Sequence, residues 1–391
     1  MIRKRIYICL LGLLFPVLVH SQVIRIGLYS SEVVESVVVY VTGGDYLLKA
    51  GEERISELGK GDIFYATLTT DGIRLHTAEK VFGTYGAVEL ESLSVAGTFR
   101  IRPVLPALES RSYDDDLLLL PEDAFMNVIN RVDFDKYIAG VLESEVGPNT
   151  EPELYKAHAL LTRTYMMKHF ERHREEGFSL CDDVHCQAYH GRATYNDEIA
   201  RSVFETTGEV VTDFHYKMIT AAYHSNSGGE TQRAADVWLK EVDYLQAVVD
   251  PYSLHQPHAK WYDTIFYADW KDYLLERGME SAQKVPGELL YIEQRHRKKH
   301  FVLDQDSILM TRIREDWGFQ STFFNMFPEV GDRIVIWGKG YGHGVGLSQE
   351  GAMNMARLGF NYQDIIKFYF FNIRIMDFED LPNSSLPDFW Y

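Results

Sequence analysis

Cysteine is scarce, with 3 in 391 residues, so a disulfide-dense scaffold is excluded. Positive charge is also short: 39 Lys and Arg stand against 57 Asp and Glu, a formal charge of −18. A chain of that balance has no broad basic face for a phosphate backbone, which excludes nucleic acid as the main partner. Beyond residues 6–19 there is no long apolar run, so no later segment reads as a membrane span. No Gly-Lys-Ser/Thr phosphate loop and no nucleophile elbow occur. Aromatic residues are not lacking: Tyr 24 and Phe 22 bring the aromatic share to 13%. With 46% hydrophobic and 25% charged residues, this is the composition of a folded globular chain. The rings suit a Tyr-rich core as well as grooves lined by flat surfaces.

The N-terminus reads as a leader. Arg3, Lys4 and Arg5 precede the apolar run 6–19, and Val19-His20-Ser21 offers a cleavage site before Gln22. The segment 1–21 is therefore expected to be a signal peptide, with the mature protein exported to a periplasm or cell wall and holding no stable membrane span. Cys181 and Cys186 are then its two cysteines.

Alternating apolar residues at 24–28, 37–41, 45–49, 63–68 and 73–76, punctuated by glycine turns, predict a β-rich module over 22–110. Pro103 to Pro106 reads as a break. Helical periodicity follows over 133–172 and 197–207. Strands are expected at 209–211 and 217–223, mixed elements over 289–337, and helices at 348–358 and 362–371. Strands first and mixed elements after predict an α+β fold, with a second domain over 111–380 and a tail at 381–391. The basic stretch 295–300 reads as a solvated hairpin tip between strands 289–292 and 301–303.

One carboxylate stands out. Counting from an N-cap at Asp133, Ile138, Val141, Leu142 and Glu145 fall at i, i+3, i+4 and i+7, on one helix face. Gly147-Pro148 then stops the helix. Apolar neighbours and the negative end of the helix both disfavour the charged form, which is the tuning a general acid requires. The plain alternative is a Glu that bonds nearby amides or an Arg. Thr150 with Glu153 reads as a capping box for the next helix, whose one side carries Leu154, His158, Leu161 and Tyr165.

Cys181, His185 and Cys186 form a compact group. An exported chain allows a disulfide, and the spacing equally suits a structural zinc loop with His169, His173 or His190 as fourth ligand. Gly340, Gly342, Gly344 and Gly346 alternate around His343, a pattern that permits positive φ and close backbone approach. His224, Ser225, Ser227, His343, Ser348 and Gln349 are candidate substrate contacts on a cleft wall, with a tight structural turn as the alternative.

YIAGVLESEV (137–146) followed by KAHALLTRTY (156–165) resembles the signature of the SpoIID family, which includes stage II sporulation protein D and the LytB-type amidase enhancers. NVIN (127–130), CDDVHCQAY (181–189), AYHSNSGG (222–229) with Trp238 and Tyr244, and GYGHGVGLSQEGA (340–352) match further blocks in order. The chain departs from the family pattern at Val146-Gly147-Pro148, where Met-Pro is usual, and at His158, where Gln is usual. The resemblance implies a lytic transglycosylase acting on peptidoglycan glycan strands, with Glu145 as acid and base, and a zinc in at least some members. It also implies an alternative, a non-catalytic enhancer that grips glycan and activates a cell-wall amidase. An ordinary muramidase would need a second carboxylate, for which Glu230 and Asp236 are the candidates.

Overall fold

The structure is a computed structural model that describes residues 22–284 and 290–382. The expected leader 1–21 and all but the first two residues of the expected tail lie outside the described residues. The fold is α+β, as the element order predicts.

Twelve strands lead: β1 (Val23–Leu28), β2 (Ser36–Gly43), β3 (Tyr46–Ala50), β4 (Glu53–Leu58), β5 (Ile63–Thr69), β6 (Gly72–His76), β7 (Val81–Tyr85), β8 (Val88–Ser92), β9 (Thr98–Leu105), β10 (Arg111–Asp114), β11 (Asp116–Pro121) and β12 (Met126–Asp133). They form two sheets. One runs β10-β9-β2-β5-β6-β7, the other β1-β12-β11-β8-β3-β4, with the short β13 (Leu180–Cys181) added parallel to β1. Period-two residues such as Val37, Val39 and Val41 of one sheet and Ile24, Ile26, Leu117 and Leu119 of the other enter a single core.

The boundary expected at 110/111 falls inside this sandwich. β10 pairs with β9, and β12 pairs with the whole length of β1, Val23 opposite Asp133 through Leu28 opposite Val128. The β unit therefore runs to Asp133. The break expected at Pro103 is also displaced, because β9 carries Pro103 opposite Val37 next to a register shift, where a missing N–H is tolerated.

Asp133 ends β12 and caps α1 (Phe134–Glu145), its side chain accepting from the N–H groups of Asp135 and Lys136. Next come α2 (Pro152–Lys168) and α3 (Asp197–Glu205). The cap of α2 is Glu151 with Pro152 at the first helical position; no side chain caps it. The expected Thr150–Glu153 capping box is absent because Glu153 turns outward, accepting from Tyr362 N–H and pairing with Lys156. α2 anchors a second core with the helices Gln349–Arg357 and Tyr362–Tyr369, both near their expected positions. The strand Glu209–Asp213 is present, whereas the expected strand 217–223 is reduced to Tyr223–His224.

Residues 260–339 build a third core. Strands Lys260–Phe266, Arg333–Lys339 and Phe324–Glu329 make an antiparallel sheet around buried Trp270. The hairpin here is His300–Leu303 with Asp306–Leu309, so 295–300 is not its tip. Arg297 instead clasps the neighbouring unit: Nη2 donates to Ser227 O at 2.7 Å and Nε to Glu230 O at 2.7 Å, while Nη1 donates to Thr322 Oγ1 at 3.0 Å within its own unit. Residues 290–292 lie in no strand.

Candidate active site

Glu145 ends α1, and Ile138, Val141 and Leu142 on the same face are fully buried. Val146 N–H bonds to Leu142 O, Gly147 takes φ 83°, and the helix stops there. The carboxylate is half-buried. Its Oε1 accepts the Ala188 N–H at 2.8 Å. Two preceding side chains hold the same loop: Ser144 Oγ accepts from His190 N–H at 3.0 Å, and Glu143 Oε2 accepts from Thr194 and Tyr195 N–H, both at 2.9 Å. Glu143, Ser144 and Glu145 thus lay residues 188–195 along the end of α1. Gly140 lets that loop approach, since a Cβ there would lie 2.4 Å from Gly191 O and 2.5 Å from the Tyr189 ring. No arginine pairs with Glu145 among the described residues.

Beneath the carboxylate lies a buried polar group. The Tyr137 hydroxyl donates to Gln187 Oε1 at 3.4 Å. Tyr223 faces both Glu145 and Gln187, and burial, followed by the Glu145 charge, raises its hydroxyl well above the usual range. It therefore stays a proton donor at any working pH. His158 packs edge-on against Tyr223 at 4.8 Å, is fully buried, and has no hydrogen-bond partner on either ring nitrogen. Burial lowers it to about 3, so it is neutral.

The loop entering Ala188 carries the metal-type cluster. His173, Cys181, His185 and Cys186 bring their ligand atoms within 4.8 Å of one another. Of the fourth ligands considered, His173 is the one in the cluster. His169 packs against Tyr165, ring centres 4.5 Å apart, and His190 lines open cavities. The cysteines are free thiols, not a disulfide. His173 Nε2 lies 3.4 Å from Cys186 Sγ, and His185 Nδ1 lies 3.7 Å from Cys181 Sγ and 3.9 Å from Cys186 Sγ. Zinc–sulfur and zinc–nitrogen bonds of about 2.3 and 2.0–2.1 Å at tetrahedral angles imply sulfur–nitrogen edges of roughly 3.5 Å, so the donor set fits that ion. His173 Nδ1 meets Glu176 Oε1 at 2.6 Å, the outer contact that orients a ligating imidazole. Arg172 Nη1 donates to His185 O at 2.8 Å and to the Tyr165 hydroxyl at 2.6 Å, bracing the loop. The hydrogen bond from Cys186 holds the Cys181 thiol below its usual range. Asp182, between Cys181 and His185, is buried and accepts from Tyr29 N–H, Ser30 and Arg111, fixing the loop to the end of β1.

The glycine-rich loop closes the other side. Gly340, Gly342, Gly344 and Gly346 all have positive φ, as the alternation predicts, and a Cβ at Gly346 would meet Ala222 O at 2.2 Å. Gln349 Nε2 reaches Glu145 O at 3.4 Å, joining this loop to α1. His343 and Gln349 are half-buried, and Ser225 also reaches the surface. The Trp238 ring lies tilted against His343, centres 5.4 Å apart. Three of the expected substrate contacts face inward. Ser227 is fully buried, donating to Asp250 or Ser253 at 2.8 and 2.7 Å. Ser348 is fully buried and accepts from Ser227 N–H and Gly351 N–H. His224 is buried with Nδ1 on Val345 O. They shape the loop, so their side chains are not open to a ligand. The roles of Tyr223, Gln187, Ala188 and Glu176 escaped sequence reasoning; Tyr223 lies inside the 222–229 block, but only folding sets it against Glu145.

Cavities of 560 and 750 Å³ share Ser110, Arg111 and His190 and continue past Glu143 and Ser144, so a polar trough borders the end of α1.

Residues 122–212 match the SpoIID family, described as Stage II sporulation protein. Stage II sporulation protein D of Bacillus subtilis is 29% identical over 276 residues, 66% of this chain and 78% of that one. An uncharacterized protein of Brachyspira hyodysenteriae is 28% identical over 287 residues, 72% of this chain and 77% of that one. The amidase enhancer of Bacillus subtilis is 26% identical over 287 residues, 60% of this chain and 39% of the enhancer. The matched family segment holds α1, α2, Ala188 and the cluster of His173, Cys181, His185 and Cys186, so the likeness to the SpoIID family covers the residues that build the site.

Proposed function

We propose that this chain is an exported lytic transglycosylase that cleaves MurNAc–GlcNAc linkages in peptidoglycan and leaves 1,6-anhydro-MurNAc ends. The observation that carries the reading is the mounting of Glu145: one half-buried carboxylate at the end of α1, with Oε1 held by Ala188 N–H and the Tyr223 hydroxyl beside it. Protonated, it delivers its proton to the glycosidic oxygen. As the carboxylate, it then removes the proton from the sugar's own C6 hydroxyl, which attacks C1 and closes the anhydro ring. The leaving alcohol keeps the first proton, and the enzyme regains the second. One residue is sufficient for both transfers. A muramidase needs a second free carboxylate, but Glu143 is spent on Thr194 and Tyr195, and Glu230 faces His296 and Arg297. Tyr223 stands beside Glu145 as a donor that orients its charged form.

His173, Cys181, His185 and Cys186 would hold a zinc ion. Four protein ligands leave no open position, so the ion would supply structure, tying the loop that presents Ala188 to Glu145. His343, Gln349 and Ser225, the expected contacts that reach the surface, would meet the glycan.

The similarity to an amidase enhancer supports a second reading, in which the same trough binds glycan and a cell-wall amidase does the cutting. Digestion of purified glycan strands with mass spectrometry of the products separates the readings. Anhydro ends are expected. Reducing ends would indicate hydrolysis, and intact strands would indicate the enhancer role.

A further inference from the structure

The sheet of the third core breaks the usual alternation of an antiparallel sheet with one covered face. Its inner face behaves normally: Trp261, Phe324, Met326, Ile334 and Ile336 are packed in the core. Its outer face should be polar, and it is aromatic. Tyr262 is 67% exposed, Trp337 55%, Phe266 51% and Phe327 40%. Tyr262 pairs directly across from Trp337, their ring centres 6.0 Å apart, and Phe327 sits 5.5 Å from Trp337. Three strands thus contribute rings to one continuous surface, far more than scattered exposed residues would give.

The charges on that face run against the rest of the chain. Lys260, Arg333 and Lys339 occupy outward positions with Glu329 as the one carboxylate on that face, the exposed Asp263 alternating to the Trp261 side, although the chain carries −18 overall. Arg333 lies over the Phe266 ring at 5.6 Å and Lys339 over the Phe323 ring at 4.7 Å. The face also leads toward the site. Strand Arg333–Lys339 passes directly into the Gly340–Gly346 loop, and its next outward ring, Tyr341, lies 5.5 Å from His258.

We propose that this face is a second glycan-binding platform that holds a carboxylate-bearing N-acetylated glycan strand outside the cleavage site. A pyranose ring is apolar on its C–H face and polar at its rim. Rings set side by side take the apolar faces, and the flanking cations take the carboxylates. The choice of polymer rests on the proposed function, whereas the platform itself needs no catalysis.

The test is binding of the full chain to purified glycan strands by co-sedimentation, alongside cleavage of short soluble glycan fragments. Trp337→Ala should weaken strand binding by about tenfold or more, with an unchanged melting temperature and unchanged cleavage of short fragments. Tyr262→Ala, on an edge strand, carries the same test should Trp337→Ala melt early. Neutral N-acetylglucosamine hexamer should compete less well than carboxylated fragments of equal length. Binding retained within about twofold in both variants would overturn the proposal. So would sedimentation showing that the wild type pairs with a second copy and that Trp337→Ala abolishes pairing alone. If the wild type cleaves nothing while the variants still lose strand binding, the platform stands and the transglycosylase reading falls.

Discussion

Glu145 is held from two directions, by Ala188 N–H on its side chain and by Gln349 on its backbone carbonyl. Its place on an apolar helix face was legible from the spacing of Ile138, Val141 and Leu142. Its neighbours were not, because Tyr223, Gln187 and Ala188 arrive from other segments and carry no local pattern. Ser227 and Ser348 show the converse. Their place in recognisable blocks suggested ligand contact, yet a serine beside glycine serves equally as an internal cap. His158 offers a prediction at this scale. Its folded value of about 3 lies below the ordinary 6.5, so between those limits the unfolded chain binds the extra proton. Its contribution is whole above pH 6.5 and is lost as pH falls toward 3, a change on the order of 5 kcal/mol. Neither ring nitrogen has a partner, so His158→Leu should leave stability at pH 7.5 within about 1 kcal/mol of wild type and flatten the acid limb. Urea midpoints of both proteins at pH 7.5, 6, 5 and 4 check this; parallel curves would refute it.

Among the elements, the loop from His173 to Tyr195 governs the site. It begins at the four-ligand cluster, passes Asp182 on the sheet edge, and reaches α1 through Ala188, His190, Thr194 and Tyr195. Metal analysis of the purified protein should find about one zinc per chain. Cys181→Ser should lose it, together with several kcal/mol of stability and most cleavage. Glu176→Gln should keep the fold but weaken zinc binding about 10–100-fold, measured by competition with a chelator. Native protein without metal, or Cys181→Ser with full metal, would argue against the staple. Local strands and helices were readable here from alternation and from the Asp133 cap. The extent of the sandwich was not: β12 lies about 100 residues from its partner β1 in sequence, and pairing at that separation leaves no trace in periodicity.

For the molecule as a whole, the described residues build three cores, and Arg297 fastens the third to the second. The sequence showed a basic, solvated stretch there; the structure half-buries Arg297 against the carbonyls of Ser227 and Glu230, and this desolvation lowers it to about 10, still charged at neutral pH. Arg297→Met leaves those acceptors without their donor and should cost about 2–4 kcal/mol, seen as a lower denaturant midpoint; an unchanged midpoint would show that the clasp is idle. Among the described residues no helix is long and apolar enough to cross a membrane. The account converges on a single carboxylate, and the most direct measurement compares wild type with Glu145→Gln on purified glycan strands, counting 1,6-anhydro ends by mass spectrometry. The account predicts anhydro ends from the wild type and a loss of about 10²–10⁴-fold in the variant at an unchanged melting temperature. Equal yields from both proteins would contradict it.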